Sequence, residues 1–468
     1  MDITQTLNRE LADIVAGNHI YTTYKNQWMY LLQSYVGGEE YRNAAHLTRY
    51  QLETELEYNA RCRATALENH SKGIIALYNA FLFREEPERT FGGIATTPEL
   101  GSFVEDCDFE GRSIDSFMSE VATWASVFGH AWIVMAKPSI DAVTRADEIA
   151  EGIRPYVNLL TPLTVLDWHW TRKPNGRFEL TNFRYLEDVN GDVHTVKIWT
   201  KNDIRTVVVN IKDGFKLQDI TEPNGLGEIP AIIVYNDRSP VRGIGVSDIS
   251  DIADHQRFIY NCTSEIEQSI RLDSHPSLVK TPETDAGIGA GSIIHMPDHL
   301  DSGLKPYLLE YNGASISAIY EAINHSIEAI DKMANVGVAR SNTASVMSGV
   351  ARDTEFQLLN AKLASKANNL ELAEEQMWKL FCKYQNAQWT GEVCYPKAFN
   401  IRDTGNEIAN LKVAADTNPV DPRVKQAIDI SILDWLDLDE DELAALKDST
   451  AMNPDQFVET GELPESED

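Results

Sequence analysis

Two stripes of isoleucine at helical spacing flank a segment that is too rich in proline to be one helix. Spacings of three, four and seven residues place the isoleucines of residues 247–272 on one side of a helix, and those of residues 314–335 follow the same pattern. Residues 273–313 between them contain four prolines, which a helix interior excludes. The pattern predicts two helices joined by an insertion of strands and loops. The stripe residues are Ile249, Ile252, Ile259, Ile266 and Ile270 in the first helix, and Ile316, Ile319, Ile323, Ile327 and Ile330 in the second.

Apolar stripes of this kind need a partner that removes them from water, and the sequence allows two. The helices can pack against each other within one chain. They can also pack against the same helices of neighbouring copies in a ring. Periodicity does not distinguish between these arrangements, so both stay open at this point.

A third and longer helix is predicted over residues 351–389. A straight helix of this length spans about 58 Å at about 1.5 Å per residue. Residues 336–350, which precede it, contain two glycines together with serine, threonine and asparagine, so they predict a loop. The apolar positions that keep helical register are Phe356, Leu359, Leu363, Ala367, Leu370, Met377, Leu380 and Tyr384.

The N-terminal part of the chain is predicted to be mostly helical up to residue 90, with a turn at Gly37-Gly38. Residues 43–83 contain one glycine and no proline, and their apolar positions recur at helical spacing. Residues 111–137 predict a helix that runs into a strand. The apolar positions assigned to the segment 43–83 are Leu52, Leu56, Ala60, Ala64 and Leu67.

Residues 153–236 predict an antiparallel sheet. Valine, isoleucine, threonine, tyrosine and tryptophan dominate, and turn signals separate the runs. Asn-Gly and Asp-Gly pairs favour the tight turns of β-hairpins. Together with the helices, this region makes α+β the predicted fold class. The turn signals are Asn175-Gly176, Asn190-Gly191 and Asp213-Gly214.

The formal net charge is −31, from 72 acidic and 41 basic residues. Tight binding of nucleic acid needs lysine and arginine to neutralise phosphates, so this charge argues against it. A wall that repels phosphate is compatible with loose passage of DNA, and an acidic surface also keeps a protein soluble. The charge alone therefore does not decide the function.

Patterns that carry catalytic or metal chemistry are incomplete. Five cysteines without a C-x-x-C pair predict neither a disulfide framework nor a zinc site. The glycine-rich segment 287–292 lacks the Gly-Lys-Ser/Thr of a phosphate-binding loop. Pro297 separates His295 from His299, so the two histidines cannot share one regular helix face. We predict no cofactor, no metal site, no catalytic activity and no membrane span.

Short motifs, taken in order, carry a family resemblance. Near the N-terminus they are Tyr35-Val36-Gly37-Gly38, Tyr58-Asn59-Ala60-Arg61 and Leu82-Phe83-Arg84-Glu85-Glu86-Pro87. The best local match is Ser348-Gly349-Val350-Ala351, a turn of small residues that opens the long helix. In their order and spacing, residues 20–430 resemble the portal proteins of tailed bacteriophages.

The resemblance implies a ring, a dodecamer, with a central channel. The chain's short crown departs from larger members of the family. Transferred to this sequence, the family's segments are 1–245 for the wing, 246–272 and 314–335 for the two stem helices, 273–313 for the clip, 336–350 for the tunnel loop, 351–402 for the long wing helix and a return strand, 403–450 for the crown, and 451–468 for an acidic tail.

The resemblance also implies a function and a set of partners. The ring would sit at one capsid vertex of the virion, after assembly in the host cytoplasm, and would serve DNA packaging, retention and ejection. ATP hydrolysis would belong to a separate motor. The implied partners are other copies of the chain, double-stranded DNA without sequence specificity, the terminase large subunit, head-completion or adaptor proteins, and the major capsid and scaffolding proteins.

Basic and polar residues around the tunnel loop are the expected DNA contacts. Duplex DNA carries roughly one charge per 1.7 Å, and moving DNA requires contacts that break easily. Pairing of the two arginines with acidic residues nearby is an equally open alternative. The expected DNA-facing residues are Lys332, Arg340, Ser341, Asn342, Thr343, Ser345 and Arg352. The candidate clip contacts to a partner are Lys280 and Lys305, for which solvated surface lysines are the open alternative.

Two other functions stay open on the sequence alone. The first is another virion assembly or adaptor protein, although a small adaptor does not need a helix pair with an inserted clip. The second is a hydrolase that uses paired carboxylates, since 72 acidic residues make some pair inevitable.

Overall fold

The described part of the chain mixes helices with antiparallel strands, which confirms the predicted α+β class. All of these residues belong to one unit that ends at Phe399. The computed structural model describes residues 9–138, 148, 151–274, 277–280, 301, 307–309, 314–337, 349–397 and 399.

The N-terminal helices begin at polar caps. The side chain of Asn18 accepts a hydrogen bond from the N–H of Tyr21, and Thr54 and Glu57 cap each other reciprocally. The predicted turn at Gly37 is confirmed. The elements are α1 (Arg9–Val15), α2 (His19–Val36), α3 (Gly38–Asn43), α4 (Glu55–Ala64), α5 (His70–Leu82), the short strand β1 (Glu88–Thr90), α6 (Pro98–Glu105) and α7 (Ile114–Phe128).

The predicted apolar stripe over residues 43–83 was wrong. Leu52 and Leu56 are 96% and 83% exposed, and Ala60 and Ala64 are exposed as well. The reciprocal cap begins α4 only at Glu55, and a second capped start at residue 70 makes α5 a separate helix. α4 turns Arg61 and Cys62 inward instead, a face that a count of leucines and alanines does not reveal.

α7 runs directly into the central strand of a three-stranded sheet, as predicted. β2 (His130–Ala136) is buried along its whole length and pairs with β3 (Tyr156–Leu160) and β9 (Ala231–Tyr235). The turn between α7 and β2 is Gly129, with φ of 89°. A Cβ on Gly129 would lie 2.4 Å from the carbonyl oxygen of Gly245, so this turn requires glycine.

Residues 165–223 form the predicted antiparallel sheet, a five-stranded meander. Its strand order β4-β5-β6-β7-β8 follows the sequence, so each pair of neighbours is a hairpin. Three of the turns fall at the predicted positions, where Gly176, Gly191 and Gly214 have positive φ. The strands are β4 (Val165–Arg172), β5 (Phe178–Asn190), β6 (Val193–Thr200), β7 (Asp203–Asn210) and β8 (Phe215–Pro223).

The three long helices are confirmed, with ends that differ by a few residues from the prediction. The third ends before residue 389 because Asn386 adopts the left-handed conformation. The helices are α8 (Ser250–Ser274), α9 (Ala314–Ala334) and α10 (Gly349–Tyr384). Short antiparallel pairs join β10 (Asp237–Arg238) to β11 (Gly245–Val246), β12 (Ser277–Val279) to β13 (Tyr307–Leu309), and β1 to β14 (Glu392–Cys394).

α10 packs across β2 and β9, and its predicted register is confirmed. Its apolar side faces the sheet and the N-terminal helices. Lysines of α10 therefore lie close to both. The predicted core positions that are buried are Leu359, Leu363, Ala367, Leu370, Met377 and Leu380, and those that are half-buried are Phe356 and Tyr384.

Candidate functional site

α8 and α9 pack side by side, and the isoleucine stripes contribute to the interface between them. A hydrogen bond of 2.7 Å between His255 Nδ1 and Ser326 Oγ joins the two helices. Six of the ten stripe isoleucines are buried within one chain, so at these positions the stripes do not require a neighbouring copy. They are Ile249, Ile252, Ile259, Ile266, Ile323 and Ile330, none more than 7% exposed.

The helix pair nevertheless keeps large apolar side chains in solvent. Phe258 and Ile270 are each 47% exposed, Tyr320 is 50% exposed, and Met333 is 39% exposed. We call these four exposed side chains, which lie on more than one side of the two helices, the outer surface. Phe258 also borders a groove of about 440 Å³ between the two helices. The remaining stripe residues, which are half-buried, are Ile316, Ile319 and Ile327.

Buried polar contacts hold α8 against the N-terminal helices. Gln256 donates through Nε2 to the carbonyl of Ser34 and accepts at Oε1 from the N–H of Ser71, both at 2.9 Å. Arg61 donates to Ser264 Oγ at 3.0 Å. The sequence analysis missed these contacts. The sequence does contain one signal for them, because Gln256 lies within the apolar stripe and a buried glutamine needs hydrogen-bond partners.

A buried cluster of charged and polar groups lies where α10 crosses the start of α8. Lys366 donates to Ser126 Oγ at 2.8 Å, contacts Asp248 Oδ2 at 2.5 Å, and also donates to Asn236 Oδ1. Lys362 Nζ lies 3.2 Å from the other oxygen of Asp248. One carboxylate therefore faces two ammonium groups. We call these five residues the Lys366 cluster.

Burial and pairing oppose each other in the Lys366 cluster. Burial raises the pKa of Asp248, but the two lysines outweigh it and the net shift is downward. Burial lowers the pKa of Lys366, and Asp248 offsets only part of that shift. Removing one member of such a group leaves an uncompensated charge in the interior, which is strongly destabilising.

The Lys366 cluster connects to the C-terminal end of α9. Lys362 donates to the hydroxyl of Tyr78 at 3.1 Å, and that hydroxyl donates to the carbonyl of Ala334 at 2.6 Å. Ala334 is the last residue of α9 and lies two residues before the predicted loop 336–350. α5, α9 and α10 are thus tied together at the point where this loop begins.

No group of three or more His, Cys, Asp or Glu in the described ranges is arranged to hold a metal ion. None of the helices described above combines the length and apolarity needed to cross a membrane.

Comparison with known protein families identifies the family of this chain. The model of the family described as "Phage portal protein, SPP1 Gp6-like" matches residues 110–417, about two thirds of the chain. The chain belongs to this portal protein family. The match confirms the resemblance drawn from the short motifs, and portal families are structural and non-enzymatic.

Solved structures of gene transfer agent (GTA) particles also match this portal protein, at low identity. The neck of an empty GTA particle computed with C6 symmetry is 11% identical, with 84% of this chain and 98% of that chain covered and a TM-score of 0.46. The virion of a native GTA particle is 11% identical, with 83% and 97% covered and a TM-score of 0.42. No curated protein matches. Because both TM-scores are below 0.5, family membership rests on the sequence match.

The described part of this portal protein reaches only the borders of the predicted DNA-facing segment. Lys332 is exposed in the last turn of α9, and Arg352 lies in the first turn of α10. Lys280 follows β12 and is exposed. The predicted crown and acidic tail fall outside the described residues, as do Arg340, Ser341, Asn342, Thr343, Ser345 and, in the predicted clip, Lys305.

The helix pair of the portal protein is acidic. α8 and α9 together carry eight acidic and three basic residues, one of which is Lys332. A helix pair of this composition repels phosphate over most of its length and offers few places where DNA could bind tightly.

Proposed function

We propose that this portal protein forms a closed ring with a central channel for double-stranded DNA at one vertex of a virion. The outer surface of the helix pair carries this proposal. Six of the ten stripe isoleucines are buried within one chain, yet Phe258, Ile270 and Tyr320 are about half exposed. Packing against the helix pair of a neighbouring copy removes such side chains from water, and the same contact repeated around an axis closes a ring.

We assign the family's segments to this chain as follows. The stem consists of 246–272 and 314–335, the clip is 273–313, and the tunnel loop is 336–350. Residues 1–245 form the wing together with 351–402, and residues 403–450 form the crown. The β12–β13 pair at the foot of the two stem helices supports the clip assignment, because it closes the insertion between them.

The acidic helix pair supports a channel that guides DNA without gripping it. Contacts that slow DNA would come from the few basic and polar positions near the tunnel loop, Lys332, Arg340 and Arg352 among them. Contacts to phosphate carry no sequence information, so DNA of any sequence can pass.

The ring would bind the terminase large subunit and then head-completion or adaptor proteins through the clip. The major capsid and scaffolding proteins would contact the wing. The chain itself would have no catalytic activity, and ATP hydrolysis would come from the terminase motor.

Electron microscopy of the purified, full-length protein tests the ring. We expect class averages of closed rings with an axial opening, with about 800 Å² buried per partner at each subunit contact. Monomers at every concentration would contradict the proposal.

A further inference from the structure

A second groove lies between the β4–β5 hairpin and the C-terminal half of α10, and it is lined by residues outside the helix pair. Its volume is about 440 Å³. The floor is apolar, with Leu180, Ile229, Ile232 and Leu380 each less than 10% exposed. Pockets of this size hold a small ligand or a few side chains rather than a folded domain.

The walls of this groove are basic, in a chain whose net charge is −31. Lys173 and Arg177 line it from the hairpin, and Lys379 and Lys383 line it from α10. The acidic residues among the lining are Glu179 and Glu228. Glu375, which lies next to Lys379, adds a third carboxylate, so four cations face three carboxylates. The local charge is therefore slightly positive, opposite in sign to the net charge of the chain, and favours an anionic ligand.

The existing ion pairs of these cations are weak. Lys173 pairs with Glu179 at 2.7 Å, but its side chain is 41% exposed. Lys379 pairs with Glu375 at 2.8 Å and is 50% exposed, and Lys383 pairs with Glu228 and is 51% exposed. Exposed pairs contribute roughly 0–1 kcal/mol, so these lysines can exchange partners at little cost. Arg177 is exposed and forms no ion pair within the described part of the chain.

We propose that this groove binds an acidic peptide segment of another protein, with one apolar side chain of that segment in the floor. Lys379 and Lys383 lie one helical turn apart, which matches carboxylates spaced along a peptide. An apolar floor has no role in holding phosphates. The guanidinium of Arg242 lies 3.5 Å from the ring centroid of Phe178 at the rim, so that ring face is closed to a stacking base.

Fluorescence anisotropy tests this with full-length protein and a labelled 12-residue peptide of glutamate with two central leucines. We expect binding that weakens at least tenfold in the Arg177→Glu/Lys379→Glu variant. The matched control is Lys201→Glu/Lys212→Glu, which reverses two exposed lysines in turns of the same meander and should bind like the wild type. Thermal melting of both variants checks that they fold.

Several outcomes would overturn the proposal. They are no binding to the wild type, equal weakening in the control variant, or unchanged affinity when both leucines are replaced by glycine. A 12-nucleotide single strand that competes as well as unlabelled peptide would assign the groove to nucleic acid. A changed sedimentation coefficient in the groove variant alone would assign it to a second copy of the chain. None of these results depends on whether the protein forms a ring.

Discussion

The carboxylate of Asp248 lies 2.5 Å from the ammonium group of Lys366, and this buried pair joins positions 118 residues apart. Asp248 precedes the first helix of the pair, and Lys366 lies midway along α10. Through Asn236 the same ammonium group also reaches the end of β9. One side chain thus fixes the long helix relative to both the three-stranded sheet and the helix pair.

Asp248→Asn should destabilise the fold strongly, because it leaves Lys362 and Lys366 without their counter-charge. We expect a loss of about 3–5 kcal/mol in the free energy of unfolding, measured by urea denaturation. The control Asp188→Asn removes an exposed carboxylate and should change stability by less than about 0.5 kcal/mol. Similar small losses in both variants would show that the pair does not hold the fold.

Acid should destabilise the protein through His130. Burial lowers the pKa of His130 to about 3, whereas an unfolded histidine titrates near 6.5. Between these values the unfolded chain binds a proton that the folded chain does not. Stability is therefore full above pH 6.5 and falls as the pH drops toward 3, by up to roughly 1.4 kcal/mol per unit. His130→Phe should flatten this slope in urea titrations between pH 4 and 6.5, and an unchanged slope would contradict the assignment.

Gly245→Ala should destabilise the protein by at least about 2–3 kcal/mol. A Cβ there would lie 1.8 Å from the carbonyl oxygen of Gly129, and backbone on both sides leaves no room to yield. The matched control is Gly73→Ala, at the fourth residue of α5, where a Cβ meets nothing within 4 Å. That change should stabilise the protein by about 0.5–1 kcal/mol and so raise its melting temperature. Equal effects of the two changes would disprove the close approach.

Phe258→Glu should prevent ring formation without unfolding the chain, because it places a charge on the proposed subunit contact. Phe215→Glu is the matched control, since both phenylalanines are 47% exposed and Phe215 lies on β8 instead. Analytical ultracentrifugation should show rings for the control and smaller species for Phe258→Glu. If both variants form rings, the helix pair is not the contact.

Lys332→Glu combined with Arg340→Glu should reduce the DNA held in assembled particles, since it removes positive charge from the border and the interior of the proposed tunnel loop. The readout is nuclease-protected DNA per particle. Lys212→Glu, a change of the same sign in a turn of the meander, should leave it unaffected. Normal DNA content in the double variant would refute the assigned role.

The elements with strong periodicity could be predicted from the sequence. The isoleucine spacing located α8 and α9, and the glycines of the Asn-Gly and Asp-Gly pairs located hairpin turns, because each signal lies within a few residues. The stripe over residues 43–83 failed for the opposite reason. Leucines and alanines recur there at helical spacing but have no surface to pack on. Capping residues divide the segment into two helices, so the spacing does not define one continuous face.

The candidate site was only partly accessible to sequence reasoning. The sequence did not show whether the isoleucines pack within one chain or between copies. In the structure, six of the ten are buried within one chain. The Lys366 cluster depends on Ser126, Asn236, Asp248 and Lys366, which are distant in sequence and carry no common motif. Such contacts depend on how distant elements pack together, so they cannot be predicted from local sequence patterns.

The eight-to-three excess of acidic residues on α8 and α9 has an electrostatic consequence for how copies come together. The proposed association through the helix pair would bring like charges close together, and their repulsion would extend over the Debye length, about 30 Å at 0.01 M salt but about 8 Å at 0.15 M. Salt ions would therefore assist assembly by screening this repulsion. We therefore expect the proposed ring to be disfavoured in dilute buffer and favoured at physiological ionic strength, where the apolar contacts outweigh the screened repulsion.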